Sequence, residues 1–489
     1  MSSVQELEEI LHPRSVAVVG ASTNTGSWGY AYTHHLVDYG FKGQIYPVNP
    51  GYAEVLGFKC YPSVNAIPGT VDFAISCVNA SQVPQMITEC GEKGVKGIHL
   101  YTARFSETGR KDAADLEQAI LRLARSKGIR LIGPNCMGVY HPKVGLSFGY
   151  NLPKDSGKVG MASQTGGGAS GFVHLASLRG VRFSKVISYG NALDFNECDY
   201  LDYFIQDAET QVIVLYVEGI KDGRRFFQTL KRAAALKPVI VIKGGRGSSG
   251  ARMTTSHTAS IAGSYNVWDA AVKQAGAVPA RDFEELIDLT VSFYFLPPVR
   301  GNRVGVLGGG GGPSVIAAES CEEAGLDVIP LPQDMREEMK ARGVTIWDWI
   351  SNPVDVSIIG GSGMTDIDML HLMAKHPSFD LLIGNFNEWV MVTLSTDDRF
   401  AATMKMQPRN YITIKERYAK PFLVVMGERG LVAGQNALLP IDDWHWKALG
   451  EARAELMAAG LPLYPSVERA ARSARKLFEY YRKLSASSY

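Results

Sequence analysis

A short apolar strand that runs into a glycine-rich loop occurs three times along the chain. The copies are SVAVVGAS from residue 15, KVGMASQTGGG from residue 158 and RVGVLGGGGGPS from residue 303. Each copy is followed by two more apolar strands, with amphipathic helical patterns such as DAADLEQAILRLARSKG between them. Continuous apolar strands that alternate with such helices are typical of parallel sheets covered on both faces. The sequence therefore predicts an α/β protein with three doubly wound parallel-sheet domains.

The spacing of the three copies also predicts the domain boundaries. The loop glycines Gly20, Gly166 and Gly309 are separated by similar lengths of chain, and a Pro/Gly linker, LPPVRGNR, precedes the third copy. A chain of 489 residues is too long for one hydrophobic core. In doubly wound domains, ligands bind at the carboxyl ends of the strands. The predicted domains are residues 1–148, 149–297 and 298–489.

The composition favours small molecules or proteins as partners. The chain has 50 Lys and Arg residues and 49 Asp and Glu residues, which gives a net charge of +1. This balance argues against nucleic acid or a membrane surface as the main partner. The amino terminus lacks the charged-then-apolar order of a signal peptide, and no apolar run approaches the roughly 18 residues of a membrane span. The six cysteines form no CxxC pair, so neither a disulfide framework nor a metal site is expected. We expect a reduced, cytoplasmic protein.

The first glycine-rich loop, GASTNTGSWG, has the features of a phosphate-binding loop. Gly20 and Gly26 let the backbone approach a phosphate, the next helix supplies free N–H groups, and Ser22 adds a hydroxyl donor. A tight structural turn between strand and helix is the alternative. The following strand ends in Asn49 and Pro50, where a dinucleotide site places an acidic residue for the ribose. The loop therefore predicts a phosphorylated adenine ligand other than NAD.

Three further residues of this region are candidate contacts. Lys42 precedes the second strand and is a candidate for an additional phosphate. Asn135 and Cys136 follow the strand in IRLIGPNCMG. A free cysteine is most often a small buried filler, and no base can be assigned to Cys136, so it is not interpreted as a nucleophile.

The second glycine-rich loop is a candidate anion site. Ser163, Thr165, Gly166 and Gly167 stand at the start of a predicted helix, where free N–H groups and hydroxyls favour an anion. A structural turn is the alternative, but four small or hydroxyl residues so close together favour the anion.

Glu218 and His257 are the candidate catalytic pair. Glu218 ends the apolar strand VIVLYVEGI, where a capping or salt-bridged glutamate is the alternative. His257 follows a glycine and serine run, residues 244–250, that is typical of a moving loop. A neutral imidazole can carry a phosphoryl group, and a carboxylate that accepts its ring N–H would orient it. A structural histidine is the alternative. Because no GxxxxGK[ST] motif occurs, a phosphoryl donor site is expected on another chain.

Two other acidic residues receive a structural interpretation. Asp194 and Asp199, in GNALDFNECDYLDYF, are interpreted as helix caps and solvated turn groups.

Seven motifs of the chain resemble, in order, those of the α subunit of ADP-forming acyl-CoA synthetases, the NDP-forming relatives of succinyl-CoA synthetase. The motifs are GASTNTGSWG, YPVNP, GPNCMG, SQTGG, the glutamate of VEGI, GGRGSSGAR and SHTASIAGS. They extend from about residue 12 to 290, and the third domain resembles the extra ligase-like domain of the acetyl-CoA synthetase branch. Each motif alone is weak, whereas the ordered set is specific. The resemblance implies a Rossmann-like CoA-binding domain followed by two flavodoxin-like ligase domains.

The resemblance also implies roles for the candidate residues. His257 would be the phosphorylated histidine, Glu218 its stabilising partner, and the helix start in SQTGG the phosphate site. The nucleotide site, with ATP or ADP and Mg²⁺, would belong to an ATP-grasp β subunit in a hetero-oligomer such as α2β2. The residues implied to bind coenzyme A are Gly20, Ser22, Asn24, Gly26, Lys42, Asn49, Pro50, Asn135 and Cys136.

The expected reaction is carboxylate + ATP + CoA = acyl-CoA + ADP + phosphate. The family commonly has SHTGALAGS, SQSGA and NAGGPG where this chain has SHTASIAGS, SQTGG and GGGGGPS. Because these positions flank the acyl and phosphate sites, the resemblance does not identify the acid. Two alternatives remain: a non-catalytic regulator that binds CoA or acyl-CoA, and an acyl-CoA lyase or hydrolase that acts without ATP.

Overall fold

The structure is a computed structural model. It describes residues 2–247, 249–250, 265–388, 392, 395–427 and 443–486. The chain divides into two compact units, Met1–Leu286 and Ile287–Tyr489. Among the helices described, none combines the length and apolar character that a membrane crossing requires.

Helices connect most of the strands. Within the part of the chain that the structure describes, the α-helices are α1 (Ser3–Leu11), α2 (Trp28–Asp38), α3 (Val83–Glu92), α4 (Lys111–Ser126), α5 (Gly166–Ser177), α6 (Glu197–Gln206), α7 (Gly223–Leu236), α8 (Tyr265–Gln274), α9 (Phe283–Phe295), α10 (Gly311–Glu323), α11 (Gln333–Ala341), α12 (Asp366–Lys375), α13 (Asp397–Arg417), α14 (Trp444–Ala458) and α15 (Val467–Ala486). Short 3₁₀ turns cover Ala80–Gln82, Ser106–Thr108 and Pro142–Val144.

The first sheet of the amino-terminal unit is parallel, with strand order β2-β1-β5-β6-β7. Every residue of β1 is buried, and burial of each valine or isoleucine side chain stabilises the fold by roughly 1.5–3 kcal/mol. A small hairpin, β3 with β4, follows β2. The strands are β1 (Ser15–Val19), β2 (Gln44–Val48), β3 (Glu54–Val55), β4 (Phe58–Lys59), β5 (Phe73–Ser76), β6 (Gly97–Leu100) and β7 (Arg130–Ile132).

The second sheet of this unit has the order β13-β12-β11-β9-β10-β8. All of its pairs are parallel except β8 with β10, which is antiparallel. The strands are β8 (Gly138–Tyr140), β9 (Val159–Ser163), β10 (Phe183–Ser188), β11 (Val212–Val217), β12 (Val239–Lys243) and β13 (Val278–Ala280).

The described residues of the carboxy-terminal unit form a parallel sheet with the order β15-β14-β16-β17-β18. Its core is rich in methionine, including Met335, Met339, Met369 and Met373. The strands are β14 (Val304–Gly309), β15 (Val354–Asp355), β16 (Leu381–Asn385), β17 (Phe422–Val425) and β18 (Leu463–Tyr464).

These sheets confirm the predicted α/β class with mostly parallel strands. The antiparallel edge strand β8 was not predicted, because three residues are too few to produce a recognisable pattern. Strand β8 precedes residue 148 and pairs with the second sheet. The division into domains at residues 148 and 297 stays a prediction.

Asp194 connects the two sheets of the amino-terminal unit. Its fully buried carboxylate accepts hydrogen bonds from the Leu131 N–H (3.0 Å), from Arg130 Nε (2.8 Å) and from Arg125 Nη2 (3.0 Å). Arg130 also pairs with Glu6 of α1. The interpretation of Asp194 as a solvated turn group was therefore wrong, because two arginines from distant sequence positions surround it. Asp199 does cap α6, where its carboxylate accepts from the Asn196 N–H (3.0 Å).

We predict that Asp194→Ala lowers the free energy of unfolding by about 3 kcal/mol, because it leaves a part-buried arginine and a buried N–H group without their acceptor. The matched control is Asp202→Ala, which removes a more exposed pair with Arg232 and should cost less than about 1 kcal/mol. Denaturant unfolding of both variants measures the difference. Equal losses would contradict the structural role of Asp194.

Candidate functional site

A cavity of about 810 Å³ opens at the carboxyl ends of β1, β5 and β6. It lies at the point where the strand order of the first sheet reverses, between β1 and β5, which is where doubly wound sheets bind ligands. Its wall contains Gly20 and Gly29 from the first loop, residues 77–81 after β5, and residues 101–104 after β6.

The glycines of the first loop permit a close backbone approach. Gly20 has a φ of +92°, and a Cβ there would lie 2.8 Å from the carbonyl oxygen of Cys77. A Cβ on Gly29 would overlap the carbonyl oxygen of Gly20. Only glycine therefore lets the start of α2 pack against the loop. At Gly26, by contrast, a Cβ would make only ordinary contact, with Asn24 Oδ1.

Polar side chains of this region hold the loop in shape. Ser22 Oγ accepts from the Asn24 N–H (3.0 Å), and Asn24 Oδ1 accepts from the Gly26 N–H (3.0 Å). Asn49 Nδ2 donates to the Ala21 carbonyl (2.8 Å) from the end of β2. These residues support the loop from outside the cavity wall.

The structure does not bring Lys42 to this loop. Gln44, at the start of β2, pairs with Ser15, at the start of β1, so Lys42 lies at the amino edge of the sheet. The glycine loop leaves β1 at the opposite, carboxyl edge. Pro50 is exposed just beyond the carboxyl end of β2.

Two arginines that sequence reasoning did not single out line the cavity. Arg104 is exposed, and Arg110 pairs with Asp112 through Nε and Oδ1 at 3.1 Å. An aromatic surface accompanies them, formed by Trp28 and Tyr101 with ring centroids 4.5 Å apart. Cations and flat aromatic rings together suit a phosphorylated heteroaromatic ligand. These arginines and aromatic rings come together only in the folded chain, because Trp28 follows β1 whereas the other residues follow β6.

A second, polar cavity of about 240 Å³ lies at the reversal point of the second sheet, between β9 and β11. It brings together four residues singled out from the sequence, namely Asn135, Thr165, Gly166 and Glu218. It also contains three residues that sequence reasoning missed: Gln164, Gly190 and Asn191.

The start of α5 forms one side of this cavity. Thr165 is the N-cap, and its Oγ1 accepts from the Gly168 N–H (3.3 Å). Ser163 is fully buried; its hydroxyl donates to the Thr165 carbonyl (2.8 Å) and accepts from the Thr165 N–H (3.2 Å). Its role in this structure is thus to shape the turn. Gly166 lies where a Cβ would contact Met137 Cγ at 2.6 Å, whereas Gly167 is exposed.

Glu218 stands opposite the helix start, where Tyr216, Lys243 and Gln164 contact it. Tyr216 Oη donates to Glu218 Oε1 (3.3 Å), and Lys243 Nζ donates to the Glu218 carbonyl. The side chain of Gln164 accepts from the N–H groups of Glu218 and Gly219 (3.0 Å for the latter) and donates to the Gly219 carbonyl (3.0 Å). Burial and the nearby Glu218 carboxylate raise the pKa of Tyr216, so its hydroxyl remains a donor.

Asn135 and Cys136 occupy different environments. Asn135 has a left-handed backbone, with φ +58°, and its Nδ2 donates to Asn191 Oδ1 (3.4 Å) at the polar cavity. Cys136 is 3% exposed, and burial raises the pKa of its thiol to about 12. A thiol with that pKa stays protonated near neutral pH, which agrees with the interpretation of Cys136 as a buried filler.

The candidate nucleophile His257 lies outside the described residues, as does Ser248 of the preceding run. The described chain continues from Lys243 at the end of β12 to Gly250, except for residue 248, and resumes at Tyr265 at the start of α8.

Two family models match the amino-terminal part of the chain. A CoA binding domain matches residues 14–142, and a succinyl-CoA ligase like flavodoxin domain matches residues 156–293.

Curated relatives match longer segments. The α subunit of ADP-forming acetate–CoA ligase I from Pyrococcus furiosus is 35% identical over 484 residues, which cover 97% of each protein. The ADP-forming acetate–CoA ligase of Methanocaldococcus jannaschii is 40% identical over 353 residues, which cover 72% of this chain. The match covers 49% of that relative, so the chain corresponds to about half of its length.

A solved structure has a similar fold along nearly the whole chain. It is the dinucleotide forming acetyl-coenzyme A synthetase 1 of Candidatus Korarchaeum cryptofilum, in complex with phosphate and ADP. The TM-score is 0.79 at 30% sequence identity, and the match covers 98% of this chain and 97% of that one.

We predict that Gln164→Leu destabilises the protein by about 2 kcal/mol, because it deprives two N–H groups and one carbonyl of their partners beside Glu218. The control is Gln211→Leu, at an exposed position before β11, which should change the free energy of unfolding by less than about 0.5 kcal/mol. Denaturant titration measures both. A Gln164→Leu variant as stable as the parent would show that these hydrogen bonds do not hold the turn.

Proposed function

The chain belongs to the ADP-forming acyl-CoA synthetase family, and we propose that it is the CoA-binding, phosphohistidine-carrying subunit of such an enzyme. The reaction is carboxylate + ATP + CoA = acyl-CoA + ADP + phosphate. One observation carries the proposal: the polar cavity places the start of α5, with Thr165 and Gly166, opposite the Glu218 carboxylate. That arrangement offers N–H donors for a phosphoryl group and an acceptor for an imidazole N–H.

The larger cavity is the proposed CoA site. Trp28 and Tyr101 offer aromatic ring faces to the adenine of CoA, and Arg104 and Arg110 offer cations to the phosphates of CoA. A hydrogen bond connects the walls of the two cavities: the N–H of Asn135, which lines the polar cavity, donates to the carbonyl of Thr102, which lines the larger one (3.0 Å). This short separation supports delivery of the CoA thiol to the polar cavity.

The proposed chemistry moves one phosphoryl group in steps. A substrate carboxylate oxygen attacks the phosphorus on His257, so that the N–P bond breaks and an acyl phosphate forms with neutral imidazole as the leaving group. The CoA sulfur then attacks the acyl carbon, the bond from that carbon to the phosphate oxygen breaks, and the thiol proton leaves with the phosphate. The N–H groups at the start of α5 hold the phosphoryl oxygens, and Glu218 orients the ring.

Phosphorylation of His257 requires a nucleotide site, which we assign to a partner. An ATP-grasp β subunit would bind ATP or ADP with Mg²⁺, in a hetero-oligomer such as α2β2. The Pyrococcus relative is named as an α subunit, which supports this assignment. All six cysteines are unpaired, which supports a reducing compartment such as the cytoplasm. The regulator and the ATP-independent lyase or hydrolase gain no support from the comparisons.

We predict that Gly29→Ala weakens CoA binding at least tenfold, because the added methyl group displaces the loop from α2. Isothermal titration measures the affinity. Gly171→Ala is the matched control, because a Cβ at that helical position meets nothing within 4 Å, and it should bind as the parent does. Arg104→Met tests the same cavity without altering the loop and should also lose about tenfold. Unchanged affinity in both cavity variants would remove the CoA assignment.

We predict that acyl-CoA with labelled phosphate, or labelled ATP with the partner, places an acid-labile, base-stable label on this chain. His257→Ala should abolish the label and turnover, and Glu218→Gln should lower both at least tenfold because the ring loses its acceptor. The control is His174→Ala, at an exposed histidine of α5, which should label normally. Normal turnover of His257→Ala would make His257 a structural residue.

A further inference from the structure

The carboxylate of Glu107 contacts residues from the walls of both cavities. Glu107 lies in the short 3₁₀ turn after β6, Ser106–Thr108. Its carboxylate accepts hydrogen bonds from the N–H groups of Arg104 and Phe105 (3.1 Å for the latter). It also accepts from Asn191 Nδ2 at 2.7 Å. Arg104 lines the larger cavity and Asn191 lines the polar one, so the Glu107 side chain joins the two walls.

Arg104 has a left-handed backbone conformation that Glu107 stabilises. Its φ is +78°, a value that a residue with a Cβ atom rarely adopts. Such conformations persist only where neighbouring groups hold them, and they are concentrated at ligand-binding and switch regions. Here the Glu107 carboxylate holds the Arg104 N–H. We therefore expect that loss of this carboxylate lets Arg104 return to an ordinary conformation, which moves its side chain relative to the cavity.

Asn191 is held in place on the other side of the contact. It is 7% exposed, and its amide group donates to Glu117 Oε1 (3.2 Å) as well as to Glu107. The ammonium of Lys221 donates to the carbonyls of Asn191 (3.2 Å) and Ala192 (2.8 Å). Ala192 also has a left-handed backbone, with φ +52°. The hydrogen bond between Asn191 and Glu107 therefore joins two loops that each contain a disfavoured backbone conformation.

We propose that Glu107 is a positioning residue that couples the two cavities: while Asn191 holds its carboxylate, Glu107 keeps Arg104 in place for CoA. This coupling, which rests on the proposed function, links the CoA site to the site of phosphoryl transfer. A change at the polar cavity that moves the Asn191 amide then weakens CoA binding. Coupling between two binding sites is reciprocal, so bound CoA in turn holds Asn191 in place.

An exchange of the two interacting groups tests the coupling, with CoA affinity measured by isothermal titration on the full chain. Glu107→Gln places two amide groups opposite each other, and Asn191→Asp brings a third carboxylate beside Glu107 and Glu117. Each variant should weaken CoA binding roughly fivefold or more, although neither residue lines the larger cavity. The double variant again pairs an amide donor with a carboxylate acceptor and should bind within about twofold of the parent.

Three further variants separate coupling from a general loss of stability. Asn65 and Glu92 form the same kind of pair outside both cavities, at 2.6 Å, so Asn65→Asp should leave CoA affinity within about twofold of the parent. Because Glu107 acts through Arg104, Glu107→Gln should change the affinity less than about twofold once Arg104→Met is present. Asn191→Ala removes the donor without adding a charge, and it should weaken CoA binding even if Asn191→Asp does not fold.

Amide hydrogen exchange gives a measurement that needs no ligand. The N–H groups of Arg104 and Phe105 should exchange roughly tenfold faster in Asn191→Ala than in the parent, because Glu107 is no longer held against them. Unchanged CoA affinity in Asn191→Ala, no recovery in the folded double variant, or equal exchange rates would each overturn the proposal. A parent that binds no CoA would contradict the proposed function, whereas the exchange rates would still decide whether Asn191 holds the loop.

Discussion

The parallel pairing of β9 with β11 is the constraint on which the candidate active site depends. Ser163 of β9 is in register with Tyr216 of β11, so both strands end at the same level of the sheet. The helix start after β9 and the carboxylate after β11 consequently face each other. Gln164 fixes their relative position through hydrogen bonds across the gap to Glu218 and Gly219. The backbone thus orients a helix N-terminus and a carboxylate before any ligand is bound.

Two cavities at the carboxyl edges of two sheets match two parts of the proposed reaction. The larger one suits a nucleotide-like ligand, and the polar one suits phosphoryl transfer. A hydrogen bond from the Asn135 N–H to the Thr102 carbonyl connects their walls. An acyl phosphate formed at the polar cavity would therefore react with the CoA thiol there, without release to water.

The sequence predicted the features that depend on strand ends and little of what depends on packing between distant segments. Thr165, Gly166 and Glu218 were placed together because residues after parallel strands meet at one edge. Lys42 lies at the opposite, amino edge of its sheet, because it precedes strand β2. The burial of Asp194 was missed because it requires two arginines from α4 and β7. Arg104 was likewise missed, because it lines a cavity only when loops after separate strands pack side by side.

We propose that this chain carries a phosphoryl group on the reaction path. This proposal is tested most directly by a single-turnover experiment, in which the chain, labelled with phosphate and freed of nucleotide, is mixed rapidly with a carboxylic acid and CoA. We expect label to leave the protein and appear as inorganic phosphate at least as fast as steady-state turnover, with one acyl-CoA formed per label lost. Label that stays on the protein, or leaves more slowly than acyl-CoA accumulates in turnover, would contradict it.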